Sequence, residues 1–248
     1  MLEGLAERHD VELLLTRPDA PRGRGRRSGP PPAKELAERL GIPLAQPERL
    51  TEAPGAAGTI VVADYGVLVP DDLLGERLWL NVHPSLLPRW RGAAPVERAL
   101  MAGDRETGVT LIRLESELDA GPVAAQRAFP IGPDDDAGAI FALAARLAVE
   151  LVDAVLPKPT FEPQSAEGVT YAEKIRAADR QLDWSRPPQE LHDRIRALSP
   201  HIGARGELNG RRVLVWRSRL VDGELEVLEV QPEGGRRMTY EGFLRGLR

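Results

Sequence analysis

An amide and an imidazole stand two residues apart at the end of a hydrophobic run. Asn81 and His83 follow the segment LWL (residues 78–80) and open the stretch NVHPSLLPRWRGAAP. The apolar run predicts a buried strand, and side chains two residues apart on a strand share a face. The sequence therefore places a hydrogen-bonding amide beside a group that exchanges protons near neutral pH. Taken singly, the asparagine fits a turn cap and the histidine a structural role.

A carboxylate is expected to join this pair. Asp119 lies in LESELDAGPV (residues 114–123), directly after a predicted strand at 108–113, and Gly121 favours a tight turn there. In open α/β sheets, ligands bind beyond the carboxyl ends of the strands. We therefore expect Asp119 to meet Asn81 and His83 in space, although many aspartates in turns have no further role.

Asparagine, histidine and aspartate at one focus suit acyl transfer to an amine. The amide stabilises a developing oxyanion, the imidazole handles the amine proton, and the carboxylate orients the imidazole. Ser85 is a rival nucleophile, but it lacks the Gly-x-Ser-x-Gly elbow and is interpreted as a turn or capping hydroxyl. The segment RGRGRRSG (residues 22–29) lacks the Gly-Lys-Ser/Thr ending of a phosphate-binding loop.

Alternating strands and helices must position these groups. Hydrophobic patterns predict strands at 11–16, 59–66, 78–82, 108–114 and 122–131, and helices at 33–41, about 95–102 and 137–155. This alternation indicates a parallel sheet of βαβ units, with 122–131 as an edge strand. After the proline-rich LPKPTFEPQ (residues 156–164), a helix at 188–198 and short strands at 211–220 and 224–231 predict a small β unit.

Composition narrows the possible functions. The 248 residues carry a net charge of −5 and no cysteine, which excludes disulfides, thiolate metal sites and a thiol nucleophile. No apolar run approaches the roughly 20 residues of a membrane span, and no secretory signal is visible, so we expect a cytoplasmic protein. The acidic balance argues against indiscriminate nucleic-acid binding, so any polyanion contact must use local basic patches.

The two stretches NVHPSLLPRWRGAAP and GDRETGVTLIRLESELDAGPV (residues 103–123) resemble the signature of the 10-formyltetrahydrofolate-dependent formyltransferases. The resemblance runs over nearly the whole chain and implies that Asn81, His83 and Asp119 are the catalytic residues. It leaves the acceptor open, because relatives that formylate glycinamide ribonucleotide or sugar nucleotides, or that hydrolyse the donor, share the core.

Three further stretches are similar to the family members that formylate the methionine of initiator tRNA: TRPDAPRGRGRR, RWRGAAPVERAL and VTYAEKIRAADRQLDWS. The resemblance therefore implies formyl transfer from 10-formyltetrahydrofolate to methionyl initiator tRNA, for translation initiation, by a monomer that needs no metal. The alternatives are another folate-dependent formyltransferase or hydrolase, or a non-catalytic remnant that binds folate or RNA.

The resemblance also implies binding residues. The pterin is expected to lie against the loop at 63–70, with backbone groups reading its edge, and the basic segment at 21–29 to reach the acceptor end of tRNA. The expected folate contacts are Ala63, Asp64, Tyr65, Gly66, Val67, Leu68, Ser85, Leu86, Leu87, Pro88, Glu117 and Leu118. The expected tRNA contacts are Arg22, Arg24, Arg26, Arg27, Arg89 and Arg91.

The implied fold is an α/β, Rossmann-like formyltransferase domain with a mostly parallel sheet (1–172), a linker (173–186) and a shortened OB-like, tRNA-binding β domain (187–248). Two departures from the family are expected. The chain opens in MLEGLAERHD, without the family's first strand, which would leave backbone groups of the neighbouring strands unpaired. The segment from residue 201 has room for about three strands, where an OB barrel has five.

Overall fold

The structure, a computed structural model, describes residues 1–22, 27–67 and 69–247. These residues form two compact units that interleave along the chain. The first unit comprises Met1–His83, Val109–Arg127 and Ala145–Ser165, and the second comprises Pro84–Gly108, Ala128–Ala144 and Ala166–Arg248. The predicted boundaries at residues 172 and 186 stay a prediction.

The element bounds follow in chain order. The helices are α1 (Leu2–Ala6), α2 (Pro32–Leu40), α3 (Asp71–Leu74), α4 (Pro95–Met101), α5 (Ala137–Val155), α6 (Pro188–Ala197) and α7 (Tyr240–Arg245), with a 3-10 turn at Ala178–Arg180. The strands are β1 (Leu14–Leu15), β2 (Ala20–Arg22), β3 (Arg27–Gly29), β4 (Leu44–Ala45), β5 (Thr59–Val62), β6 (Leu78–His83), β7 (Arg91–Gly92), β8 (Glu106–Arg113), β9 (Val123–Pro130), β10 (Tyr171–Ala172), β11 (Ala204–Leu208), β12 (Arg211–Val221), β13 (Glu224–Pro232) and β14 (Met238–Thr239).

A four-stranded sheet in the order β5-β6-β8-β9 carries the predicted site, with β9 at the edge as predicted. Strands β5 and β6 are parallel. Strand β8 runs antiparallel to β6, with His83 opposite Thr110 and Leu80 opposite Arg113. The sheet is therefore mixed, and the expectation that the 108–114 strand runs parallel to β6 was wrong. Hydrophobic periodicity does not distinguish the two directions, because burial on both faces produces the same apolar run.

Local chemistry explains several of these elements. Helix α2 begins at Pro32, whose ring fixes a helical φ where no N–H is needed, and ends before Gly41, which adopts φ 69°. Strand β6 is anchored in the core by Trp79 and Leu80, both almost completely buried. The Trp79 indole also donates a hydrogen bond to the Leu73 carbonyl oxygen at 3.0 Å, which ties β6 to α3.

A slot of about 710 Å³ lies between β1 and β5 within the first unit. Strand β1 forms a separate parallel pair with β4. Consecutive residues of both strand segments, 11–16 and 59–65, line the slot. Successive side chains of a strand point to opposite faces, so it is the edge of each segment that borders the slot, and not one of its faces. In the described part of the chain no strand pairs with these two edges. Within the described residues, the β1-β4 pair and the four-stranded sheet are therefore two separate sheets.

The second unit contains an open antiparallel sheet in the order β11-β12-β13-β14. Helices α6 and α7 cover it through a core that includes Leu191, Ile195, Val215 and Phe243. The sheet has one strand more than the expected three, because the two-residue β14 carries no recognisable strand pattern. Within the described residues the sheet does not close into a five-stranded barrel.

Paired strands lie on both sides of residues 23–26 in the arginine-rich segment. Strands β2 and β3 pair as an antiparallel hairpin, with Ala20 opposite Gly29 and Arg22 opposite Arg27. Residues 23–26, including Arg24 and Arg26, lie outside the described residues. None of the helices in the described ranges has the length and apolar character needed to cross a bilayer.

Candidate active site

One carboxylate faces both residues of the Asn-x-His pair. The Asn81 amide Nδ2 donates a hydrogen bond to Asp119 Oδ1 at 3.3 Å. The other carboxylate oxygen, Oδ2, lies 3.6 Å from His83 Nδ1, an ion-pair distance too long for a hydrogen bond. The side chains of His83 and Asp119 are only 5% and 10% exposed. The predicted convergence of the three residues is confirmed, while their catalytic roles stay a prediction.

Asp119 lies in a loop that folds back along β6, and not at the end of a parallel strand. Because β8 is antiparallel to β6, the chain leaves the sheet at Arg113, opposite Leu80. The Leu114 amide then donates to the Trp79 carbonyl at 2.9 Å, and the Arg113 amide donates to the Pro122 carbonyl of the returning chain at 3.0 Å. Residues 114–122 therefore form a closed loop beside β6 that carries Asp119 back to His83.

The backbone of this loop is tightly constrained. Asp119 adopts φ 49°, a left-handed conformation that costs a non-glycine residue roughly 1–2 kcal/mol. A Cβ on Gly121 would lie 1.8 Å from the Arg113 carbonyl oxygen, so only glycine fits there. Sequence analysis missed Gln164, whose side chain donates to the carbonyls of Asp119 and Gly121. Gln164 lies at the end of a proline-rich segment, and nothing in that sequence indicates the contact with the Asp119 loop.

The predicted folate loop follows β5, where Ala63–Val67 lie in the described residues and Leu68 does not. Asp64 and Gly66 both have positive φ, at 45° and 67°. The Tyr65 ring packs against the core cluster, and burial raises the pKa of its hydroxyl. The Tyr65 side chain therefore points inward, whereas the Asp64 side chain is fully exposed.

Arg17 is a second residue that sequence analysis missed at this loop. Its guanidinium donates to the carbonyl oxygens of Tyr65 at 2.9 Å and Asp64 at 3.4 Å. Arg17 directly follows the strand segment before the arginine-rich stretch, and no motif marked it. The arginine therefore fixes the loop from the side of β1.

Glu117 and Leu118, the other predicted folate residues of the first unit, are exposed in the Asp119 loop. Leu118 is 63% exposed, which is unusual for a leucine beside a buried carboxylate. The loop thus presents one exposed apolar side chain, next to exposed Glu115, Ser116 and Glu117.

The remaining predicted residues belong to the second unit. Ser85 is fully buried and its hydroxyl donates to the Arg89 carbonyl at 2.7 Å, which fits the turn interpretation and not a nucleophile. The Arg89 guanidinium makes two hydrogen bonds to Asp104, which raise the pKa of the arginine. Arg91 is only 7% exposed, so its position suits a structural role better than contact with RNA.

Metal ligands do not cluster in the portion of the chain that the structure covers: no group of three or more histidine, aspartate or glutamate side chains there is arranged to hold an ion. The expectation of a metal-free site stays a prediction.

Comparison with known proteins identifies the family of the chain. Residues 3–156 match the family described as Formyl transferase, and residues 174–225 match the Formyl transferase C-terminal domain. The chain is 41% identical over 277 aligned positions to a methionyl-tRNA formyltransferase from Paracoccus denitrificans, which covers 99% of this chain and 93% of the relative.

Two solved structures share the fold. A methionyl-tRNA formyltransferase from Clostridium thermocellum superposes with a TM-score of 0.62 at 16% identity, covering 80% of this chain and 81% of that one. HypX from Aquifex aeolicus in complex with tetrahydrofolic acid superposes with a TM-score of 0.57 at 19% identity, covering 85% of this chain and 40% of that one. On the strength of the family match and the full-length relative, this chain belongs to the formyl transferase family.

Proposed function

We propose that this protein transfers the formyl group of 10-formyltetrahydrofolate to the amino group of methionine on initiator tRNA. The observation that carries the proposal is the single buried carboxylate of Asp119 facing both Asn81 and His83. The chain is also similar along nearly its whole length to a methionyl-tRNA formyltransferase. A site made of an amide, an imidazole and a carboxylate suits acyl transfer to an amine that is itself the nucleophile.

The mechanism follows from the placement of these groups. The methionyl amine attacks the formyl carbon, a C–N bond forms, and the carbonyl electrons move onto oxygen. The second N–H of the Asn81 amide stabilises this oxyanion while the first stays on Asp119. The carbonyl then re-forms, the bond between carbon and N10 of the folate breaks, and N10 takes up a proton.

His83 moves the proton in this scheme. Its Nδ1 faces Asp119, so Nε2 is the ring nitrogen directed away from the carboxylate. Nε2 accepts the proton of the attacking amine and returns it to the departing folate nitrogen. The Asp119 carboxylate orients the ring and stabilises its protonated form.

The folate is proposed to contact the backbone of Ala63–Val67 and the exposed residues Glu117 and Leu118. The inward-facing Tyr65 and the guanidinium of Arg17 support this proposal, because both hold the backbone of the loop in a fixed conformation. The tetrahydrofolic acid bound to HypX, which shares the fold, supports a folate-type donor.

The tRNA is proposed to contact the arginine-rich segment, residues 20–29, through Arg22, Arg24, Arg26 and Arg27. Such contacts would use a local basic patch on a chain that is acidic overall. We also propose that the enzyme works in the cytoplasm as a monomer, in keeping with a chain that contains no cysteine.

An acceptor panel tests this function. Purified protein is incubated with 10-formyltetrahydrofolate labelled in the formyl group, and with methionyl initiator tRNA, methionyl elongator tRNA, glycinamide ribonucleotide or an amino-sugar nucleotide. We expect labelled formylmethionyl initiator tRNA, with background transfer to the other acceptors. Preferred transfer to a small amine, or release of free formate with every acceptor, would replace the proposal by another formyltransferase or a hydrolase.

A further inference from the structure

Gln164 makes a two-pronged contact with the loop that carries Asp119. Its side-chain nitrogen Nε2 lies 2.8 Å from the Asp119 carbonyl oxygen and 2.8 Å from the Gly121 carbonyl oxygen. An amide NH₂ group has two hydrogens, and here each meets one carbonyl. The two bonds bracket residues 119–121, the part of the loop that sets the direction of the Asp119 side chain.

The segment that carries Gln164 is itself fixed to the sheet. Glu162 and Val123 form an antiparallel bridge, with their amides and carbonyls 2.8 and 2.9 Å apart. Phe161 lies under the Arg113 guanidinium, 5.2 Å from the ring centroid. Gln164 therefore connects a paired segment to the loop that carries Asp119, and its side-chain amide supports that loop.

The loop needs such a support. Residues 115–118 are exposed, and Asp119 is held at φ 49°, which is unfavourable unless neighbouring contacts maintain it. A change in the Asp119 backbone would move both carboxylate oxygens away from Asn81 Nδ2 and His83 Nδ1. Two hydrogen bonds to the carbonyls on either side of the turn oppose this change.

We propose that Gln164 is a positioning residue for formyl transfer, acting through Asp119 and touching neither substrate. This inference rests on the proposed function. We infer that the two N–H groups of the Gln164 side chain keep the Asp119 carboxylate at its distances from Asn81 Nδ2 and His83 Nδ1. A glutamate of the same size would lack those donors at neutral pH and would repel the two carbonyl oxygens.

The test compares Gln164→Ala and the isosteric Gln164→Glu with Glu162→Ala. Glu162 lies in the same segment, its side chain is exposed, and its bridge to Val123 uses only backbone atoms. We expect kcat for formyl transfer to fall about 10- to 100-fold in both Gln164 variants, because misplacement of a catalytic group by about 1 Å has that effect. The KM for both substrates should stay within about twofold, and Glu162→Ala should match the wild type.

A double-mutant cycle separates positioning from a general structural role. In an Asp119→Asn background, Gln164→Ala should lower kcat by less than about twofold, because the group it positions has already been changed. If the two effects multiply independently, Gln164 does not act through Asp119 and the inference is overturned.

An NMR measurement provides a readout that does not need turnover. The ring signals of His83 should shift in Gln164→Ala and Gln164→Glu in the same direction as in Asp119→Asn, and should stay unchanged in Glu162→Ala. Unchanged His83 signals in a folded Gln164 variant would also overturn the inference. If the wild-type protein transfers no formyl group to tRNA, the proposed function fails. If the wild type is active and the Gln164 variants have the same kcat, only the inference about Gln164 fails.

Discussion

Asp119 connects the two residues that were recognisable in the sequence. The spacing of Asn81 and His83 followed from the period of two along a strand, and β6 places both residues as expected. The contact with Asp119 was also expected. The antiparallel strand and the folded-back loop that place Asp119 there were not expected. Aspartate in a turn has no pattern that reveals a left-handed backbone or a loop that folds back along an antiparallel strand.

Gly121 provides a prediction at the scale of a single residue. In Gly121→Ala the new Cβ would lie 1.8 Å from the Arg113 carbonyl oxygen, a backbone atom, so the loop must move. We expect kcat to fall by about 10²-fold or more, because Asp119 moves with the loop, and the melting temperature to fall as well. Gly75→Ala is the control, since a Cβ there meets nothing within 4 Å. Wild-type kcat in Gly121→Ala would show that the loop position does not matter.

Among the elements, those with strong periodicity were predicted well. Helix α5 has the predicted bounds, and β6, β8, β12 and β13 lie within a few residues of theirs. The strand predicted at 11–16 is reduced to Leu14 and Leu15. Its apolar sequence suits a strand between two neighbours, but on the side of the slot no described strand provides the second one.

Hydrogen exchange tests whether the slot leaves that edge of β1 open. The amides of Leu14 and Thr16 donate to Pro43 and Ala45 on the β4 side. Since N–H groups alternate sides along a strand, the amides of Leu13 and Leu15 point toward the slot. We expect Leu14 and Thr16 to exchange slowly and Leu13 and Leu15 quickly, as read by NMR. Equal protection of all four amides would mean that another element pairs with this edge.

The ion pair between α4 and the 3-10 turn predicts a pH-dependent stability. Arg98 donates to both oxygens of Asp179, at 3.1 and 2.9 Å, and the Arg176 amide adds a bond of 2.8 Å. The hydrogen bond from Arg98 is the largest effect that lowers the pKa of Asp179 below its usual value of 3.8. A carboxyl group with a lowered folded-state pKa stabilises the fold above the unfolded pKa and loses that contribution as pH falls.

Asp179→Asn should therefore lower the free energy of unfolding by about 1–2 kcal/mol near neutral pH. The difference from the wild type should shrink as the pH falls below about 4, where the wild-type carboxylate is protonated as well. Urea unfolding at a series of pH values measures the loss of unfolding free energy near neutral pH and its decrease at low pH. A difference that stays constant down to pH 2 would assign the effect to packing and not to charge.

At the scale of the whole molecule, the positive charge is local. The chain has a net charge of −5, yet four arginines occur within residues 22–27, and the segment from His201 to Arg248 has nine arginines against seven acids. The arginine cluster was evident from the sequence. The pairing of β2 with β3 was not evident, because glycine, proline and arginine carry no strand pattern.

Replacing Arg22, Arg24, Arg26 and Arg27 with alanine tests whether the arginine-rich segment binds tRNA. Each lost phosphate contact reduces counterion release, so we expect the slope of log affinity against log salt to flatten by about 2 to 4 units. Folate binding should remain unchanged. Alanine at the four exposed residues Arg39, Arg49, Arg105 and Arg146 serves as the control for net charge. An unchanged slope in filter-binding titrations of the variant with these four alanines would show that tRNA is bound elsewhere.

The central claim is that Asn81 and His83 act on charge that develops during formyl transfer. The most direct test is the single-turnover rate of transfer with both substrates bound, in the wild type, Asn81→Ala and His83→Ala. We predict that each variant binds 10-formyltetrahydrofolate and methionyl initiator tRNA within a fewfold of the wild type, yet transfers the formyl group about 10²- to 10³-fold more slowly. A single-turnover rate equal to that of the wild type in either variant would contradict the account.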